Sequence, residues 1–105
     1  MAESEIAVME YSLCYSNFFF DDLAVVMAYL SQYSDSAPSR FKDHLFERIE
    51  KVKTMPEMYA TYSFAPEYRH IVIDRYIVIY RVEKEGRKIY MYRLLHGAQD
   101  IQSYL

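Results

Sequence analysis

The sequence predicts an α+β fold, β-α-α-β-β-β, with a twisted antiparallel sheet and a helical hairpin packed on one of its faces. Three observations predict it. Apolar residues recur every three or four positions between Phe19 and Val52, the spacing of amphipathic helices. From Tyr68 onward the period changes to two, the spacing of strands. The links between these runs are short, so neighbouring runs pack together in one domain spanning residues 1–105.

Each element follows from its own residues. Met9–Ser16 carries Tyr11, Leu13 and Tyr15 at strand spacing. A helix is expected over Asn17–Tyr33, with Ser16 or Asn17 as its cap. Asp21 and Asp22 are placed in its first turn, where the helix dipole favours carboxylates. Its apolar stripe is Phe19, Leu23, Val26, Leu30 and Tyr33. After a break at Ser34–Ala37, Ser36 is the expected cap of a second helix and Pro38 suits its first turn. Phe41, Leu45, Ile49 and Val52 form the second stripe, opposite a solvated face that includes the i,i+4 pair Glu47 and Lys51. Met55-Pro56 ends the helix.

Glu57–Glu67 is expected to be a loop leading to the sheet. A strand follows at Tyr68, with Ile71 and Ile73 on one face, then a tight turn at Asp74-Arg75. Tyr76–Val82 is apolar on both faces, which implies a central strand covered on both sides. Glu83–Gly86 is a hairpin connection with Gly86 at the strained position. Lys88–Leu95 is the last strand. Strict alternation puts Ile89, Met91, Arg93 and Leu95 on one face and Tyr90, Tyr92, Leu94 and His96 on the other. Gly97 stops it, and Asp100–Leu105 is a tail of about one helical turn.

Composition narrows the function classes. The lone Cys14 gives neither a disulfide framework nor a metal cluster, which suits a reducing cytoplasm. No apolar stretch approaches the roughly 18–20 residues that span a membrane, and Met1–Met9 lacks the positive start of a signal peptide. Net charge is −3. Residues 1–65 hold five Lys/Arg against ten Asp/Glu, whereas residues 66–105 hold seven against five. An acidic chain is a poor nonspecific phosphate binder, although its second half can present a basic face. Gly86 and Gly97 are the only glycines, too few for a phosphate loop. His44, His70 and His96 lie far apart and lack ligand spacing, so no metal or other cofactor is expected. Twelve tyrosines and six phenylalanines suit both a core margin and an interface.

The remaining chemistry lies in basic side chains on the sheet: Arg69, Arg75, Arg81, Arg93 and His96. Converged on one face, they would stabilise a pentacoordinate phosphate and move protons. The structural alternative pairs them with Glu67, Asp74, Glu83, Glu85 and Asp100 at the surface, or with acidic groups on a partner.

Tyr76-Ile-Val-Ile-Tyr-Arg-Val82, then Glu85-Gly86, then Ile89-Tyr-Met-Tyr-Arg-Leu-Leu-His-Gly-Ala-Gln-Asp100 resembles the C-terminal signature of the ParE/RelE toxin superfamily. Asp21-Asp22-Leu23, Arg40-Phe41 and Met55-Pro56 occur upstream in the matching order, so the resemblance covers nearly the whole chain. Two departures stand out. Gln99 replaces the arginine of a His-Gly-x-Arg-Asp pattern. Ile77 stands where ribonuclease members of the RelE branch commonly carry an arginine, and an isoleucine cannot stabilise phosphate charge.

The resemblance therefore points to the ParE branch. It implies the toxin of a type II toxin–antitoxin (plasmid stabilisation) system, inhibiting DNA gyrase without being an enzyme. A cognate antitoxin would hold it in a hetero-oligomer in the cytoplasm. Phe18, Phe20 and Tyr29 are the candidate antitoxin contacts, and Arg93, His96 and Asp100 the candidate target contacts. The second reading is a ribosome-dependent mRNA interferase working through Arg69, Arg81, Arg93 and His96. The third is a non-toxic, antitoxin-binding member.

Overall fold

The structure, a computed structural model, describes residues 10–105. Met9, the expected start of the first strand, and the rest of the segment read for a signal peptide lie outside the described residues. The elements run β1 (Ser12–Tyr15), α1 (Asn17–Leu30), α2 (Ala37–Val52), β2 (Tyr68–Ile73), β3 (Tyr76–Glu83) and β4 (Lys88–His96), followed by a 3₁₀ turn at Ile101–Tyr104. The order and the α+β class are those the sequence predicts.

The sheet is mixed rather than wholly antiparallel. Its strand order is β1-β4-β3-β2. β2, β3 and β4 form an antiparallel meander, while β1 joins β4 in parallel from Ser12↔Lys88 to Tyr15↔Met91. Tight turns force antiparallel pairing only between consecutive strands. β1 connects onward through the helical hairpin, which imposes no such direction.

Ser16 caps α1: its hydroxyl accepts from the Phe19 N–H at 3.1 Å and donates to the Tyr92 carbonyl. Capping at Ser16 starts the helix at Asn17, which places Asp21 and Asp22 beyond the first turn. Neither therefore serves the dipole role expected of it. The helix ends at Leu30, and Tyr33 lies in the following turn, exposed rather than part of the inner stripe. Ser36 holds the cap position of α2 without a side-chain bond; the Ser34 hydroxyl accepts from the Ala37 N–H instead, at 3.1 Å. Phe41, Leu45, Ile49 and Val52 are all buried, as their spacing requires. Glu47 and Lys51 pair across the exposed face at 3.9 Å.

These residues pack with Phe19 and Val26 of α1 against Ile71, Ile73, Val78, Tyr80, Ile89 and Met91 of the sheet. Val78, Ile79 and Tyr80 are consecutive and fully buried, so β3 is covered on both faces. β2 is covered on one, since Val72 is 55% exposed between Ile71 and Ile73.

The register slips at one point. Tyr80 pairs with Met91 but Ile79 with Arg93, which leaves Tyr92 as an extra residue in β4. Beyond it the faces exchange. Leu94 joins Ile89 and Met91 in the helix-side core, and the strict alternation expected for this strand fails. The Asp74-Arg75 turn falls where expected, whereas the β3–β4 turn does not place Gly86 at its strained position. The left-handed residues of the two turns are Asp74 (φ 55°) and Arg87 (φ 50°), and neither glycine has positive φ. Asp tolerates this region better than most residues.

Candidate functional site

β1 covers β4 only as far as Met91, so the next turns of β4 need another partner. α1 supplies it. The Asp22 carboxylate accepts the Leu94 N–H at 3.0 Å and both arms of Arg93, from Nε at 2.8 Å and from Nη2 at 2.9 Å. Both side chains are mostly buried, at 17% and 14% exposed. The paired Asp22 carboxylate raises the Arg93 pKa further. The guanidinium also sits 5.2 Å from the Phe18 ring and 4.7 Å from Tyr104. Further along, the Gln99 amide takes over: its oxygen accepts the His96 N–H at 2.7 Å and its nitrogen donates to the Tyr104 hydroxyl at 2.8 Å. Gln99 thus ties the tail across the strand end.

The three candidate target contacts separate. Arg93 and His96 both line a cleft of about 370 Å³ between α1 and β4, but Asp100 does not. Its main-chain oxygen accepts from Ser103 inside the terminal turn. The imidazole of His96 is engaged as well, its Nδ1 accepting from the Ala98 N–H at 3.1 Å.

The four residues of the ribonuclease reading are not assembled. Arg69 pairs across the ladder with Tyr80 on the helix side, and Arg81 with Tyr68 and Tyr90 on the opposite face. Arg69 donates to the Tyr59 carbonyl at 2.6 Å and faces the Glu57 carboxylate at 3.8 Å. It pins the 56–59 loop beside the Tyr80 hydroxyl, which donates to the Pro56 carbonyl and whose pKa burial raises to about 12. Arg81 lies 4.9 Å over the Tyr90 ring. The carboxylates that bind Arg69 and Arg93 are Glu57 and Asp22, not the five expected from the sheet and tail. Both come from outside the strands, so strand alternation could not find them.

Phe18, Phe20 and Tyr29 are exposed, at 53%, 52% and 46%. They do not share a surface. At about 100° per residue, Phe18, Val25 and Tyr29 form one stripe of α1 and Phe20 points about 200° away from Phe18. Phe20 instead packs 5.4 Å from the Tyr15 ring. Val25, 70% exposed, was missed by the sequence reading, although the same 3.6-residue period places it.

The face of the sheet turned away from the helices carries a roof of rings. Tyr68 of β2 and Tyr92 of β4 meet at 5.4 Å across the middle strand. Beside them Tyr62 stacks on His70 at 4.2 Å and on Phe64 at 4.9 Å. Desolvation lowers the His70 pKa and raises that of Tyr62. Alternating tyrosines were visible in the strands, but not the bulge that brings Tyr92 over β3.

Among the described residues, no group of His, Cys, Asp or Glu is arranged to hold a metal ion, and no helix is long and apolar enough to cross a membrane.

This two-helix, four-stranded layout is shared with solved toxin–antitoxin structures. A chromosomal ParDE toxin–antitoxin system from P. aeruginosa matches with a TM-score of 0.69 at 16% identity, covering 84% of this chain and 97% of that one. The isolated E. coli RelE toxin matches with a TM-score of 0.59 at 12% identity, covering 90% and 93%. The RelBE2 toxin–antitoxin complex from Mycobacterium tuberculosis matches with a TM-score of 0.55 at 15% identity, covering 86% and 94%. The fold is therefore that of the RelE/ParE toxins. Residues 15–101 match the family model of the ParE toxin of type II toxin–antitoxin systems, parDE, and the chain belongs to that family. No curated protein sequence matches it.

Proposed function

We propose that this protein is a ParE-type toxin that acts by binding DNA gyrase in the cytoplasm and is neutralised by a cognate antitoxin laid along α1. The observation that carries the reading is the exposed stripe of Phe18, Val25 and Tyr29 beside the cleft between α1 and β4. An apolar stripe rimmed by polar residues marks a protein contact. The ParDE and RelBE2 structures that share the fold are toxin–antitoxin systems, which supports an antitoxin as the occupant.

The arginines support binding over phosphate chemistry. Arg69 and Arg81 lie on opposite faces, and Arg93 is bound by Asp22. A phosphoryl site needs such groups converged and free to meet developing charge. Membership in the ParE family supports gyrase, the target the resemblance implies, over the ribosome. The test is a supercoiling assay with purified gyrase. Accumulation of cleaved DNA on adding the toxin, reversed by the product of the adjacent open reading frame, is the expected result. Unchanged supercoiling at high toxin excess contradicts the target.

A further inference from the structure

The cleft between α1 and β4 does not end at Tyr29. It adjoins a second, larger cleft of about 590 Å³ at the end of the sheet, with Tyr29, Tyr76 and His96 lining both, and together they make a groove long enough for an extended segment. The two halves differ in chemistry. The first is walled by Val25, Val26, Leu94 and Leu95. The second is framed by the start of α2 and the β2–β3 turn, and brings together Arg40, His44 and Arg75 with the phenols of Tyr29 and Tyr33.

Arg40 and Arg75 come from different elements, and neither forms an ion pair among the described residues. They contrast with Arg69 and Arg93, which carry carboxylate partners. Arg75 lines this half together with Tyr33 and Tyr76. The Tyr29 and Tyr33 hydroxyls hydrogen-bond each other at 2.6 Å beside it. Asp43 and Asp74 also line this half, each without an ion pair among the described residues. They favour one carboxylate seated between the guanidiniums over a run of acids, which they would repel.

We infer that the antitoxin segment occupies this groove as an apolar stretch followed by a single acidic residue, whose carboxylate docks between Arg75 and Arg40. The apolar side chains fill the half between α1 and β4, and the carboxylate fixes where along the groove the segment stops. Apolar contact supplies most of the affinity, and the charge pair supplies register and part of the specificity. The inference rests on the reading of this chain as an antitoxin-bound toxin.

The test uses the purified product of the adjacent open reading frame, titrated onto the full-length toxin by calorimetry at two salt concentrations. Arg40→Glu together with Arg75→Glu is expected to weaken binding roughly tenfold or more, with a smaller dependence on salt. Changing one Asp or Glu of the partner to Lys is expected to restore binding to that double variant. Both arginines are exposed, so thermal unfolding of the variant should match the wild type. Unchanged affinity and salt dependence in the double variant, with binding lost in Val25→Glu, overturns the acidic anchor and leaves the antitoxin reading standing. No binding to the wild type overturns both.

Discussion

The arginines at Arg69 and Arg93 and those at Arg40 and Arg75 perform opposite tasks. The first two are spent inside the fold. Arg93 closes the free edge of β4 through Asp22, and Arg69 holds the loop at 57–59 against β2. The second two sit at the end of the sheet, beside a groove and without ion pairs among the described residues. The lesson is that charge type does not predict role here. A basic residue is available to a partner only where no carboxylate elsewhere in the fold reaches it.

Removing Asp22 should break the tied side most severely. Asp22→Ala leaves Arg93 and the Leu94 N–H without their acceptor in a mostly buried site. The expected loss is about 2–4 kcal/mol, read as a lower chemical-denaturation midpoint. A change within about 0.5 kcal/mol would mean that the pair is decorative. Val25→Glu should act on the other side of the comparison. It is expected to cost about 2 kcal/mol or more in binding the antitoxin while leaving the unfolding midpoint unchanged, as a calorimetric titration beside a melt would establish. Equal losses of stability and binding would show that the stripe is core rather than interface.

Arg69→Met should cost about 1 kcal/mol and loosen one region only. Faster amide exchange is expected at the His70 N–H, which donates to the Ala60 carbonyl at 3.1 Å, and at its loop neighbours. Unaltered exchange there would remove Arg69 from its anchoring role. The smallest effect concerns His70, whose pKa desolvation lowers. Its unfolded form binds a proton more readily, so this contribution is complete above the unfolded value near 6.5 and is lost as pH falls through it. The melting temperature should drop on acidification below that value, and His70→Phe, which preserves stacking on Tyr62, should flatten the drop. An identical slope in the variant would locate the titration elsewhere.

Much of the fold was legible because its signals are local. The stripes of Phe41, Leu45, Ile49 and Val52 and the apolar run of β3 report their burial directly through period. The bulge at Tyr92 was not legible, because a register slip depends on the partner strand and reverses the faces of every later residue. That single slip moved Leu94 into the helix-side core. The parallel placement of β1 was hidden for a related reason, since a long connection leaves direction open. At the site, helical period alone puts Phe18 and Tyr29 on one stripe of α1, but that the stripe is exposed rather than core was settled only by the fold. The partners of Arg69 and Arg93 could not, because Glu57 and Asp22 meet them only through tertiary packing across 12 and 71 positions of sequence.

The dispersed basic residues favour a toxin that acts by binding over one that does phosphate chemistry. Inducible expression in a bacterial host, with DNA and protein synthesis followed separately by pulse labelling, tests this most directly. The expected result is an early fall in DNA synthesis with filamentation, prevented by co-expression of the adjacent open reading frame. An early fall in protein synthesis with cleaved messages, abolished by His96→Ala, would contradict it.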